Sequence, residues 1–595
     1  MVPRIVQSTS SGLADMPTEL LLEILQDNDL STDDLYNVAV LSRRLNRIAL
    51  PIFLSRQGIP DPETTIFLDG LVYEMTLPEE PKGSLSGLSI ATYLFGKNVE
   101  TLECQFSRQL FPADCPCVLP LIEGAYDCCL AVRRISNFIR NLASIKTVTL
   151  RLIGCQSSLS RNKSTERFRG FKWTGAFEEL LNLIVEKGAT SLHIHRDSDL
   201  NLEEQYQFIE KTRAERALYR IKNIVAMPSD LAALESLTGP WWRFKPPGNA
   251  KGENFPTYQP KLSSEAQRNC VLHTLTISSS VLLTPPFLGW ALHLISNSKA
   301  LTRLNFNFTS TYRELWRAIL PPLSELLSSK LTELTVASSC WRVSTYELLQ
   351  FLTHVPKLAK LTIDRSIPFD YTYPTDLRVQ SPIPLLENCE FLDAGHNFVD
   401  YFLNAHSQSI SPDRPRLPKL ISLVIYPSSC TSMYDVSFFG SSARDWTVLH
   451  EQLCRPFGMT SPKRTQEVSC SLDFFAHFFD ISHTIMEYFR AFSAFGHDSL
   501  QIQNNAVFQN VTEIKFQSFD FPRDEPMIFC RSLRTIFPDL RRITFARHFY
   551  EQQTPEAQNL FTEFKESLRR ECPRVGSISI AGDTFKIHGD DLLEA

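Results

Sequence analysis

The sequence predicts an α/β fold in two parts. Three short helices occupy residues 13–56, and an irregular solenoid, with parallel strands on one side and helices on the other, fills residues 96–595. Three observations predict it: an apolar-x-x-apolar-x-apolar string recurs along the chain, segments with helical apolar spacing precede such strings, and three capped apolar stripes follow one another near the amino end.

At 595 residues the chain exceeds what one compact core needs, so it is several domains or one extended repeat array. Hydrophobic residues at 43% and charged residues at 21% are those of a folded protein. A net charge of -6 without a run of five or six like charges argues against a duplex-binding field, so no nucleic-acid partner is expected. Residues 1–12 lack the apolar core of a signal peptide and read as a disordered tail. The longest apolar stretch, Val281 to Ile295, is interrupted by Pro285, Pro286 and His293 and falls short of the roughly 20 residues a bilayer needs. The expectation is a soluble chain of the cytoplasm or nucleus with no membrane partner.

Fourteen cysteines are scattered without a repeated framework, which reads as reduced, largely buried thiols. Cys115, Cys117, Cys128 and Cys129 cluster, but C-P-C and C-C lack the intervening residues that let paired sulfurs face one zinc ion. No metal and no cofactor are expected.

In the first helix Pro17 sits where a missing N–H does no harm, Glu19 complements the positive helix end, and Leu20, Leu21, Ile24 and Leu25 form one face. Ser31 or Thr32 caps a second helix carrying Leu35, Val38, Ala39 and Leu41, and Ser42 caps a third carrying Leu45, Ile48 and Ala49. Three helices of this size bury little area, so part of their apolar surface is expected to await a partner. A plain helical cap on the rest of the chain is the simpler alternative.

The strings M-P-T-E-L-L-L-E-I-L from Met16 and D-D-L-Y-N-V-A-V-L-S-R-R-L from Asp33 to Leu45 resemble an F-box. Pro17, Glu19, Leu20, Ile24, Leu25, Asp34, Leu35, Ser42 and Arg43 match that family's pattern. Met16 stands for its first Leu, Leu41 for a Val and Leu45 for the commoner Trp, and the link between Leu25 and Asp34 is about two residues long for the pattern. The resemblance implies docking on a Skp adaptor, and through it on a cullin, by way of Met16, Pro17, Leu20, Ile24, Leu25, Leu35, Leu41 and Leu45.

After a connector at 57–95, the repeat strings begin at Val99, Ile145, Ala189, Leu272, Leu301, Leu331, Leu358, Leu386, Leu420, Val511, Leu540 and Val575. From Leu272 to Leu386 the steps are 29, 30, 27 and 28 residues. Each string predicts a short strand whose last two apolar side chains enter a shared core. Leu348, Leu349, Phe351, Leu352 and Val355 exemplify a preceding helix, as do Phe177, Leu180, Leu181 and Ile184 ahead of Gly188. Alternating strands and helices stack in parallel. Without a regular turn Asn, and with uneven lengths, the repeats resemble the irregular leucine-rich repeats common in fungal F-box proteins.

Two insertions, at about 196–270 and 426–509, interrupt the array. The first is expected to hold a helix over 202–227 and then P-W-W-R-F-K-P-P-G, whose Trp241, Trp242 and Arg243 are residue types favoured at interaction hot spots; plugging of a solenoid edge is the other reading. The outward parity of the strands predicts a polar row that includes His193, His195, Thr276, Ser278, Asn305, Asn307, Thr335, Thr362, Asp364 and Glu390. Of these, His193, His195, Asn305, Asn307, Asp364 and Glu390, with the two tryptophans and Arg243, are the candidate target-binding residues. His193 and His195 share a parity with Asp197 and Asp199, but nothing fixes those carboxylates past the strand end, so surface histidines are expected rather than a metal site.

G-x-S-x-G, H-E-x-x-H, G-x-x-x-x-G-K-[ST] and G-x-G-x-x-G are all absent. The expected function, implied by the resemblance, is substrate recognition within a Skp/cullin/F-box ubiquitin ligase, with an unknown protein as target and no catalysis by the chain itself. A non-ligase interaction scaffold is the alternative, ahead of an enzyme whose site hides in an insertion.

Overall fold

The structure is a computed structural model that describes residues 13, 16–27, 29–68, 83–106, 123–152, 166–195, 207–210, 212, 214, 242–245, 260–283, 287–308, 313–338, 345–363, 386–395, 398, 419–426, 469–474, 511–516, 526–545, 555–580 and 583–587. The chain divides into two units, residues 1–330 and 331–595.

The first unit opens with helices α1 (Thr18–Gln26), α2 (Thr32–Leu41) and α3 (Arg43–Arg56). Ser31 caps α2 through a reciprocal exchange with Asp34, and Ser42 caps α3 by accepting from Leu45 N. These caps satisfy amide donors that no earlier helical carbonyl can reach. Leu45, Ala49, Leu50, Phe53 and Leu54 of α3 are buried. Arg56 closes the far end of α1 by donating to the carbonyls of Gln26, Asp27 and Leu30.

Strands β1 (Thr65–Leu68), β2 (Asn98–Phe106), β3 (Ser144–Leu152), β4 (Ser191–His195), β7 (Thr274–Ile277) and β8 (Arg303–Phe308) follow, hydrogen-bonded side by side in that order and all parallel. The pairing registers two internal ladders, Ile66-Leu102-Val148-Leu192-Leu275-Leu304 and Leu68-Cys104-Leu150-Ile194-Ile277-Phe306, and every member is buried. Helices α4 (Ser84–Ser89), α5 (Glu123–Asn141), α6 (Glu166–Glu186), α7 (Ser264–Asn269), α8 (Leu288–Asn297) and α9 (Arg313–Leu327) lie between the strands in sequence. Such alternation is what parallel crossover connections require.

In the second unit β9 (Glu333–Ser338), β10 (Lys360–Ile363), β11 (Phe391–Gly395), β12 (Ser422–Tyr426), β13 (Ser469–Phe474), β14 (Val511–Phe516), β15 (Arg542–Phe545) and β16 (Ser577–Ile580) pair in parallel in chain order. A final strand, β17 (Asp583–Lys586), returns antiparallel on β16. Helices α10 (Thr345–Thr353), α11 (Pro526–Ile536) and α12 (Pro555–Glu571) fall among them.

All twelve strings therefore lead into strands of a parallel repeat array. Besides the strands Gln207–Glu210 and Trp242–Lys245, the sequence reading missed three more. β1 lies in the residues assigned to a connector, and β13 lies in the second insertion, where Glu467 occupies a position that the other strings fill with an aliphatic side chain. β17 belongs to no string.

The helix expected over 202–227 is contradicted at its start, where Gln207–Glu210 forms a strand, β5. It pairs antiparallel with β6 (Trp242–Lys245), and that long-range pairing overrides the helical spacing. β5 lies against α9.

Candidate functional site

The N-terminal helices keep some of their apolar side chains outside the fold. Leu20 and Ile24 of α1 are 46% and 42% exposed, and Val40 and Leu41 at the end of α2 are 52% and 68% exposed. Leu13 and Leu22 are exposed as well. Leu20 and Ile24 are four residues apart and share a helix face, whereas the buried Leu21 and Leu25 turn the next face onto α3.

Burial corrects part of the expected adaptor set. Leu25, Leu35 and Leu45 are buried in the module's own core, so they hold its helices together and offer no surface. Met16 is half-buried and Pro17 exposed, with the Met16 carbonyl accepting from Arg44 Nη2 at 2.6 Å. Of the exposed helix residues, the sequence reading left out Leu22 and Val40; helical spacing places each at the rim of its apolar stripe, and only packing decides on which side of the rim such a residue falls.

The module is embedded in the first unit. Asn46 is buried and donates to Ala39 O at 3.2 Å and Ile90 O at 2.9 Å, while its own oxygen accepts from Thr92 Oγ1 at 3.1 Å. Gly87 of α4 lets the Phe53 ring approach so closely that an added Cβ would stand 2.4 Å from Phe53 Cε1.

The second candidate is the outward face of the first unit's sheet. Register places His193 beside Thr149 and Thr276, and Thr276 beside Asn305. His193 Nδ1 lies 2.8 Å from Thr276 Oγ1, which accepts from Asn305 Nδ2 at 3.1 Å. The rings of His193 and His195 stack with centroids 6.2 Å apart and planes 11° apart. Burial, and after it the neighbouring His195, holds the His193 pKa below its ordinary 6.5. Arg151, the register partner of His195, pairs with Glu103 at 2.6 Å.

Of the expected target-binding residues, His193, His195, Asn305 and Asn307 thus share this face. Glu390 is exposed just ahead of β11 in the second unit. Trp242 and Arg243 belong to β6, the partner of the strand that lies against α9, and Trp241 and Asp364 fall outside the described residues. Sequence reasoning missed Glu103 and Arg151, although outward parity in the strings at Val99 and Ile145 carries the signal.

A crevice of about 420 Å³ opens among Arg140 of α5, Glu178, Glu179 and Glu186 of α6, and Ser263. Its carboxylates are engaged: Glu178 Oε1 accepts from Lys261 N, Glu186 Oε1 accepts from Ser263 Oγ, and Glu179 pairs with Arg140. Among the described residues no three His, Cys, Asp or Glu side chains are grouped to hold a metal. Cys104, Cys389, Cys530 and Cys572 are buried free thiols; burial pushes all four pKa values up, those of Cys389 and Cys572 to about 12, which leaves them unreactive. Cys115 and Cys117 are outside the described residues, as are the side chains of Cys128 and Cys129. Among the described residues no helix is long and apolar enough to cross a membrane.

No protein-family model matches the chain, and no curated protein matches it. Among solved structures the chain is similar to the leucine-rich repeat-containing protein LegL7 from Legionella pneumophila, at 13% identity and a TM-score of 0.29, over 51% of this chain and 93% of that one.

Proposed function

We propose that the chain is the substrate-recognition subunit of a Skp/cullin/F-box ubiquitin ligase, with residues 16–56 docking on the Skp adaptor and the leucine-rich-repeat-like array binding a protein target. One observation carries this reading: Leu20, Ile24, Val40 and Leu41 stay exposed on helices whose Leu21, Leu25, Leu35 and Ala39 are buried, in a segment whose sequence resembles an F-box. In this role the chain performs no chemistry and holds a target near the transfer machinery, raising their effective concentration.

The test is adaptor co-purification with the full chain and with Leu20→Asp, Ile24→Asp and Leu41→Asp combined. These side chains are exposed, so the variant keeps its fold by circular dichroism. Loss of hot-spot contacts worth about 2 kcal/mol weakens capture about 30-fold. Equal capture of the adaptor by both chains, or none by the wild type, refutes the docking role. A protein bound by the array lives longer in cells that carry the variant; an unchanged lifetime instead points to a scaffold.

A further inference from the structure

We propose that two copies of this chain pair through α1 and α3, with Glu19 and Glu23 of each copy set against Arg47 and Arg43 of the other beside Leu20, Ile24 and Leu41. The starting observation is four charges that the fold does not use. Glu19, Glu23, Arg43 and Arg47 are exposed, and among the described residues none of them forms an ion pair or a side-chain hydrogen bond. Other charges on the same helices are engaged: Asp34 takes part in the Ser31 cap, Arg44 Nη2 donates to Met16 O and Thr18 Oγ1, and Arg56 donates to the carbonyls of Gln26, Asp27 and Leu30.

The arginines that tie α3 to α1 give the contact its direction. Arg44, at the start of α3, reaches the start of α1, and Arg56, at the end of α3, reaches the end of α1, so the two helices run the same way. Glu19 and Glu23 stand four residues apart, as do Arg43 and Arg47, so each pair lines one side of its helix with about 6 Å between its members. A two-fold axis standing across the helices lays α1 of one copy antiparallel to α3 of the other, which brings Glu19 to Arg47 and Glu23 to Arg43, twice over. Because the spacings are equal, both pairs meet at once. A surface that carries both signs at one spacing is complementary to itself, as an isologous contact requires, whereas a partner of a single sign would leave one pair unanswered. Leu20 and Ile24 directly follow the two glutamates, and Leu41, 68% exposed, precedes Arg43 by two residues, so apolar side chains are covered as well. The patch is small and its ion pairs lie at the rim, which makes the association weak, reversible and salt-dependent. A paired chain is closed to other partners at this face; on the reading that the same face docks an adaptor, pairing and docking exclude each other.

Sedimentation velocity of the full chain from about 1 to about 100 μM tests the pairing. The wild-type chain should pass from monomer to dimer in this range, with a dissociation constant that rises about tenfold between about 0.05 M and about 0.5 M salt. Arg43→Glu with Arg47→Glu makes an all-acidic face, and Glu19→Arg with Glu23→Arg an all-basic one; all four positions are exposed, and circular dichroism checks that each variant keeps its helices. Either variant alone should sediment as a monomer, and an equimolar mixture of the two should pair at least as tightly as the wild type, because each copy then supplies what the other lacks. A wild type that stays monomeric, a dimer indifferent to salt, or variants that self-associate or fail to combine would overturn the pairing. No adaptor is present, so the result stands apart from co-purification: a wild type that dimerises yet captures no adaptor refutes docking alone, and a monomer that captures adaptor refutes pairing alone.

Discussion

Gly87 is where one atom decides most. Its side-chain position is filled by the Phe53 ring, at 2.4 and 2.9 Å, and by Leu54 Cδ2 at 3.1 Å. Phe53 and Leu54 are fully buried, so the ring has little room to retreat. Gly87→Ala should destabilise the first unit by about 1–3 kcal/mol, the usual cost of overpacking. Thermal denaturation checks this, and a Phe53→Leu change in the same chain should recover part of the loss. If G87A melts with the wild type, the close approach is not a constraint. No pattern in the sequence announced this contact: G-S-L-S-G shows only that a helix can start there, and the ring it meets is more than thirty positions earlier.

At the scale of elements, basic side chains finish helices that belong to the preceding repeat. Lys187, just ahead of β4, donates through Nζ to Arg140 O and Leu142 O at the end of α5. Lys330 does the same for α8, reaching Ile295 O and, at 2.9 Å, Ser298 O. Arg574, ahead of β16, donates to Pro538 O beyond α11 and pairs with Asp539. A helix leaves its last four carbonyls unpaired and carries partial negative charge there, so a cation from the next repeat meets both needs. Lys330→Met, which keeps the apolar stem, should cost on the order of 1 kcal/mol in chemical denaturation. A melting curve identical to the wild type would mean that water serves those carbonyls equally well. Strand positions were legible because inward burial imposes strict alternation, whereas these caps were not: one lysine before an apolar residue looks like any solvated charge.

For the molecule as a whole, the array and its parallel order were readable from twelve strings, because each repeat must bury the same few aliphatic positions against its neighbours. What escaped was set by long-range pairing. β5 joins β6 across more than thirty residues, and β1 and β13 pair with neighbouring strands distant in sequence. The exposed apolar face of the amino-terminal helices was legible in part, since periodicity identifies a stripe but not its boundary. Linear arrays lose protection from their ends. Hydrogen exchange should therefore be slowest in β3, which is paired on both sides within the first unit, and faster in β1, which among the described residues pairs only with β2. The reverse order would mean that the amino-terminal helices, rather than the central strands, are the most stable part of that unit.

The junction between those helices and the first repeat limits how evolution or an engineer can exchange parts. Helices borrowed from another protein would have to bring an amide to the height of Ile90 and Thr92, and an aromatic ring shaped to rest on a bare α-carbon. A transplant lacking either would leave the part-buried Ile90 carbonyl without this donor or a hole beneath α4, so the amino-terminal segment and the body behind it should be inherited together.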